Sequence, residues 1–189
     1  MQRLTLIDGS DTGVLKRIGD DRILDALVEQ CRGTGGEIMV SLPFGSEAVK
    51  SRCETNYYPY HEGPLNEVDR IYNTVRAYNV DYLAWIRPNL FISPAELHYM
   101  YYLISTTKSA YISNGLIPGR HIDIVTPAAM EFFRGRWKTM DEARANIEEM
   151  GKELQYMIYY EPFLKSWVPT DMNDRDKEAE YFSQYKNRE

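Results

Sequence analysis

The feature that most constrains this chain is a regular alternation. Short apolar runs alternate with stretches whose apolar residues recur every three or four positions, through Val125. Residues 4–7 (Leu-Thr-Leu-Ile) read as a strand that ends in the turn-rich Asp8-Gly9-Ser10-Asp11-Thr12-Gly13. Ile23, Leu24, Leu27, Val28 and Cys31 then repeat at helical spacing, with Asp20 or Asp21 placed to cap that helix and Gly33 to end it. Residues 38–42 form a compact apolar run, the mark of a buried strand, and residues 46–54 read as helix. Residues 57–60 are a weaker strand candidate because Pro59 cannot donate to a ladder. Leu65, Val68, Ile71, Tyr72, Val75 and Tyr78 give one helical stripe, and residues 82–86 follow as a strand.

The second half begins with Ser93-Pro94-Ala95-Glu96, a capping box with proline at the first helical position. That helix is expected to run to about Ile104. Residues 110–113 and 122–125 are short strand candidates, and Thr126-Pro127 starts another short helix by the same logic. Thr139-Met140-Asp141-Glu142 is a second capping box, and Ala143, Ile147, Met150, Leu154 and Met157 behind it predict one long amphipathic helix. Strands alternating with helices predict an α/β fold, a mostly parallel sheet with helices on both faces. The expected division is an α/β domain over residues 1–138 and a helical C-terminal extension over 139–189, packed on it or on a partner. The stretch 171–189 is highly charged and lacks Leu, Ile and Val, so it reads as a solvated helix or a partner-binding tail.

Composition narrows the function classes. A formal net charge of −6 argues against a general nucleic-acid binder, which needs a basic surface. It leaves room for a local nucleotide site. No apolar run approaches the ~20 residues that span a bilayer, and residues 1–8 have no signal-peptide core, so no membrane association is expected and the cytoplasm is the default location. Cys31 and Cys53 have no metal-ligand spacing and read as reduced, buried thiols. Fifteen tyrosines, several clustered, serve either as core and groove lining or as a surface for a homo-oligomer.

Ligands of open α/β sheets sit at the carboxyl ends of the strands, so the loops to inspect are 9–13, 43–46, 87–93 and 114–121. The first offers Gly, Ser10 and Thr12 for phosphate contacts, with Lys16 and Arg17 close behind. It is neither a Walker A loop nor Gly-x-Gly-x-x-Gly, and a plain turn is the simpler reading. His61, His98 and His121 are scattered, and His98 falls inside a helix. His121 lies two residues before Asp123, so in a strand both side chains share a face. Such a pair could help hold a metal or serve acid–base chemistry; the plainer reading is a solvated strand pair. No Ser-His-Asp arrangement or zinc spacing is visible. The Asp174-Arg175-Asp176 triplet reads as solvated tail.

Longer stretches carry a resemblance. Val14-Leu15-Lys16-Arg17-Ile18-Gly19 resembles the Val-Leu-Lys-Pro-Leu-Gly near the start of the spore-coat-polysaccharide cytidylyltransferases, relatives of the CMP-3-deoxy-manno-octulosonate synthetases. Leu65-Asn66-Glu67-Val68-Asp69-Arg70-Ile71-Tyr72, ending in Ala77-Tyr78-Asn79-Val80-Asp81-Tyr82, resembles that family's Asp-Asp-Val-Leu-Asp-Arg-Tyr-Tyr…Ala-Tyr-Gly-Ala-Asp-Tyr. Ile92-Ser93-Pro94-Ala95-Glu96-Leu97 is similar to Ile-Asp-Pro-Glu-Leu, and Tyr111-Ile112-Ser113-Asn114 to Tyr-Val-Ser-Asn. Residues 119–125 fall where the family has Gly-Leu-Asp-Val-Glu-Val-Phe.

The resemblance implies a nucleotidyltransferase fold of the glycosyltransferase-A type. It implies a pocket for a nucleotide or nucleotide-sugar beside one for an acidic sugar, and a Mg²⁺ cofactor. Carried over, Ser10, Thr12, Lys16, Arg17, Arg87 and Asn89 would bind the nucleotide, Asn114 and His121 the sugar, and Asp123 the metal. Two departures stand out. The family's triphosphate lysine falls at Gly13, and its magnesium aspartate falls in Arg87-Pro88-Asn89-Leu90, which has no carboxylate. Charge neutralisation drives nucleotidyl transfer. The expectation is therefore a divergent protein with a non-catalytic binding or assembly role. The alternative is an active transferase making a CMP-activated sugar acid for surface polysaccharide.

Overall fold

The computed structural model describes residues 1–18, 20–88, 94–114 and 121–159. Its first half runs β1 (Arg3–Asp8), a two-strand antiparallel ladder of β2 (Arg17–Ile18) and β3 (Asp21–Arg22), α1 (Ile23–Cys31), β4 (Glu37–Pro43), α2 (Glu47–Asn56), β5 (Tyr60–Gly63), α3 (Glu67–Ala77) and β6 (Tyr82–Ile86). The second half adds α4 (Pro94–Thr107), β7 (Tyr111–Asn114), β8 (Asp123–Val125), α5 (Pro127–Phe133), α6 (Met140–Ala145), α7 (Ile147–Met150) and β9 (Tyr156–Tyr159).

Seven strands make one sheet in the order β5-β4-β1-β6-β8-β7-β9. All pairings are parallel except those of β8, which runs against both β6 and β7. The expected mostly parallel α/β sheet is what forms. Its strands are apolar on both sides because both faces are covered. On one face Ile7, Val40, Leu42, Ala84, Ile86, Ile112 and Ile124 pack against α1, α2 and α4. On the other, Leu4, Leu6, Met39, Leu83, Trp85, Tyr111 and Val125 pack against α3, α5, α6 and α7. Each fully buried aliphatic side chain contributes about 1.5–3 kcal/mol, so these two layers dominate stability.

Several local expectations need correction. Neither Asp20 nor Asp21 caps α1: its N-cap is Arg22, with no side-chain cap bond. The strand expected at residues 57–60 begins only at Tyr60; Pro59 precedes it and accepts from the Val40 amide. Leu65 leaves its stripe and is 83% exposed, because Asn66 caps the helix that starts after it. The long helix expected from Ala143 to Met157 is two short helices and a strand. Asn146 takes φ −112°, ψ 22° between α6 and α7. Gly151 ends α7, the chain turns back so that a β-carbon there would lie 2.5 Å from the Tyr156 ring, and β9 pairs in parallel with β7. The Ser93 cap and the tail from residue 160 onward lie outside the described residues.

The tyrosines differ in burial. Tyr101 and Tyr111 are buried, whereas Tyr57, Tyr99 and Tyr102 are exposed. Among the described residues, no helix is long and apolar enough to cross a membrane.

Candidate functional site

The chain leaves β1 to one side to make β4 and returns on the other side to make β6. A crevice opens at such a reversal, at the carboxyl ends of the strands. β8 is antiparallel, so its first residue, Asp123, lies at this same end, level with Trp85 of β6 and Ser113 of β7. Period-two alternation puts Asp8, Ser41, Arg87 and Asp123 on the α3 side of the sheet.

Two buried polar clusters result. In the first, Arg70 is 1% exposed on α3. Its Nη2 donates to Asp8 Oδ1 (3.2 Å), its Nε to Ser41 Oγ (2.8 Å), and its Nη1 to the Pro64 and Leu65 carbonyls (3.1 and 3.2 Å). The guanidinium lies 6.0 Å from the Trp85 ring centre. Ser10 folds back on the same carboxylate, its amide donating to Asp8 Oδ1 (3.1 Å) and its hydroxyl to Oδ2 (3.0 Å).

In the second, Arg87 follows β6. Its Nη1 donates to Asp123 Oδ2 (3.1 Å) and the His121 carbonyl (3.3 Å), and its Nη2 to Asp141 Oδ1 (3.1 Å). His121 Nε2 lies 3.3 Å from Asp123 Oδ2 and 3.6 Å from Asp141 Oδ1. Arg87 and His121 thus address the same two carboxylate oxygens. Tyr111 donates to the other oxygen of Asp123 at 2.6 Å. Next to this cluster Arg144 Nε donates to Ser113 Oγ at 3.1 Å.

Electrostatics follow from this packing. Burial alone would raise the Asp123 carboxyl. The hydrogen bond and charge of His121, with Arg87 and Tyr111, override it and hold the group at about 2. Burial likewise opposes the charge of Arg87, but Asp123, Asp141 and Glu67 hold its guanidinium above its ordinary value. Tyr111 is pushed well up by burial and then by the charge of Asp123. Glu67, which accepts the Met140 amide at 2.8 Å, is raised by burial despite that bond and the guanidinium of Arg87 nearby.

The residues singled out from sequence thus separate. Arg87, His121 and Asp123 come together, and both His121 and Asp123 are buried, so the solvated-pair reading is corrected. Ser10 joins Asp8 instead. Asp11 accepts the Gly13 amide at 2.7 Å and sets a 3-10 turn over Thr12–Leu15, which leaves Thr12, Lys16 and Arg17 exposed. Among the described residues, neither Lys16 nor Arg17 joins an ion pair. Asn114 is internal: its Nδ2 donates to buried Glu96, and its Oδ1 accepts the Ile122 amide at 2.6 Å. Asn89 lies outside the described residues. Sequence reasoning missed Asp8, Glu67, Arg70 and Asp141 as site groups. A charged residue ending a buried strand was the available signal for Asp8.

No protein-family model matches the chain, and no curated protein matches it in sequence. Its fold does match solved structures. A cytidylyltransferase from Leptospira borgpetersenii serovar Hardjo-bovis superposes with a TM-score of 0.78 at 16% identity, over 97% of this chain and 86% of that one. A CMP:2-keto-3-deoxy-manno-octonic acid synthetase complexed with CTP gives 0.73 at 9% identity, over 98% and 100%. A manganese-complexed protein of Mycobacterium tuberculosis H37Rv gives 0.65 at 12% identity, over 93% and 97%. The fold is therefore that of the nucleotidyltransferases.

A divalent cation in such a fold needs carboxylate oxygens without a competing charge. Here Asp123 and Asp141 are both held by Arg87, and Tyr111 takes the remaining oxygen of Asp123. Among the described residues no group of three ligating side chains is arranged to hold a metal ion. As they are held, Asp123 and Asp141 do not fit Mg²⁺ or Mn²⁺.

Proposed function

We propose that this protein binds a nucleotide or nucleotide-sugar in the crevice between β1 and β6 without transferring a nucleotidyl group. One observation carries the reading: the guanidinium of Arg87 sits 3.1 Å from both Asp123 and Asp141, where transfer chemistry would call for a metal-bound triphosphate. The exposed Lys16 and Arg17, on the loop that leaves β1, supply positive charge for phosphate. The CTP-bound and cytidylyltransferase neighbours support a cytidine nucleotide as the first ligand to try. Asn114 shapes the pocket wall rather than touching sugar, since both ends of its amide are occupied within the protein. The exposed Tyr99 and Tyr102 of α4 remain the proposed surface for self-association.

The test is calorimetric titration with CTP and other nucleotides, with Mg²⁺ and with a chelator. Pyrophosphate release is then measured with candidate sugar acids. Binding that survives chelation, with no pyrophosphate released, is the expected result. Magnesium-dependent release lost in Asp123→Asn would establish the alternative, an active transferase. Failure to bind any nucleotide at high concentration would leave only an assembly role.

A further inference from the structure

We propose that β5 is the contact edge of a two-fold dimer, in which the β5 strands of two copies of this chain pair antiparallel about His61. Such a dimer requires neither a bound nucleotide nor the α4 tyrosines of the reading above.

β5 ends the sheet, and among the described residues it pairs with β4 alone. The carbonyls of Pro59 and Gly63 accept the Val40 and Phe44 amides, each at 2.9 Å. Residues 59, 61 and 63 therefore turn their backbone groups toward β4. By alternation the amides and carbonyls of Tyr60 and Glu62 face away from the sheet. A proline commonly blunts such an edge. Here the amide that Pro59 lacks would lie on the β4 side, so the outer side keeps its donors and acceptors.

That pattern fits itself in one register. Tyr60 and Glu62 of one copy exchange hydrogen bonds with Glu62 and Tyr60 of the other, and His61 faces its own counterpart. Tyr57 and Leu65 each lie four residues from His61, so the same rotation carries Leu65 of the second copy toward Tyr57. At 92% and 83% exposed, these two are the barest large apolar side chains among the described residues. A cavity of about 200 Å³ opens against Tyr57, walled by Val28, Ile38, Val40, Tyr58 and Pro59. It has room for one aliphatic side chain, Leu65 of the second copy. Charge agrees with this register. Lys50 bonds Glu62 at 2.9 Å and stands 5.9 Å from the Tyr60 ring centre. Placing the second Glu62 opposite Tyr60 sets each lysine between two carboxylates. The backbone of Tyr57 gives a further sign. It ends α2 with φ 58°, in the left-handed region where glycine is the ordinary residue. A bulky ring kept in that conformation and left in solvent is accounted for by a contact outside the monomer.

The test is sedimentation velocity of the full chain across a dilution series, with disulfide cross-linking to read the register. Wild type is expected to dimerise. Leu65→Glu should weaken the dimer at least about tenfold, and should melt as wild type does when both are monomers. Tyr57→Gly should weaken it comparably yet melt no lower than the wild-type monomer, because glycine relieves the left-handed residue. Under mild oxidation His61→Cys should cross-link two chains, since residue 61 alone meets itself across the axis, and Glu62→Cys should do so far more slowly. Tyr99→Ala with Tyr102→Ala should leave this dimer intact. A wild type that stays monomeric at high concentration would overturn the proposal. So would a dimer that survives Leu65→Glu or Tyr57→Gly, one lost in the α4 double variant, or one that cross-links equally through positions 61 and 62. No nucleotide enters these measurements, so a failure of nucleotide binding is a separate result.

Discussion

The carboxylate of Asp123, with no exposed side-chain surface, accepts from Arg87 Nη1 at 3.1 Å across a gap of 36 residues. This pair ties the end of β6 to the start of β8 on one side of the crevice. It also makes stability depend on acid. The folded-state pKa of Asp123, about 2, is below that of an unfolded aspartate. Its contribution is then complete above about pH 4 and is lost as pH falls toward 2, on the order of 2 kcal/mol in all. Denaturant unfolding at pH 7 and at pH 3 should show this loss. Asp123→Asn should be less stable at pH 7 by about 3 kcal/mol, since it leaves the buried guanidinium of Arg87 facing a neutral amide, and should lose less on acidification.

Gly9 lets the first loop leave β1 where it does. Its amide donates to the Ser41 carbonyl at 2.9 Å. A β-carbon there would lie 2.7 Å from Leu42 Cδ2 and 2.9 Å from Val40 Cγ1. Both are packed core side chains with no room to retreat. Gly9→Ala is expected to cost about 1–3 kcal/mol in urea unfolding, and to displace Ser10 from Asp8.

The sequence exposes this fold wherever one periodicity stands alone. Val68, Ile71 and Val75 recur only as a helix can, and they line α3. Residues 156–159 carry no such single message. Met157 continues the helical steps from Ala143, yet in β9 it packs on one sheet face while Tyr156 and Ile158 pack on the other. A short apolar run satisfies both periods, and the parallel pairing of β9 with β7 decides between them. The site divides in the same way. His121 and Asp123 are two apart on a strand, so their shared face is readable. Arg70 meets Asp8 from 62 residues away, and Asp141 meets Arg87 from 54. Those meetings are products of sheet order, which no local pattern encodes. Asp141 is further disguised by its place in the first turn of α6, where an acidic residue is ordinary helix chemistry.

The two thiols should be silent in the native protein. Cys31 and Cys53 are both buried in the layer beneath α1 and α2. Burial pushes Cys31 up to about 12, and burial with the charges of Asp25 and Glu54 pushes Cys53 up to about 11. The thiolate is the reacting form, so neither should be labelled by a disulfide reagent at pH 8. Two equivalents per chain should react once denaturant is added. Fast labelling without denaturant would mean that α1 and α2 separate readily.

Lys16 and Arg17 supply the last test, because they separate ligand binding from folding. Both are exposed, and Lys16 ends the 3-10 turn through its own amide, which donates to the Gly13 carbonyl at 3.0 Å. That backbone bond survives any side-chain change. Lys16→Ala and Arg17→Ala should therefore leave the unfolding midpoint within about 0.5 kcal/mol of wild type. If phosphates lie against this loop, each change should weaken nucleotide binding about fivefold to tenfold, corresponding to ~1 kcal/mol. The loss should shrink as salt is raised, because exposed charges are screened within about 10 Å at 0.1 M. Calorimetry at two ionic strengths distinguishes this from a structural effect, which would not depend on salt. Unchanged affinity in both variants would move the phosphate site away from the β1 loop and toward the opposite wall, where Arg87 stands.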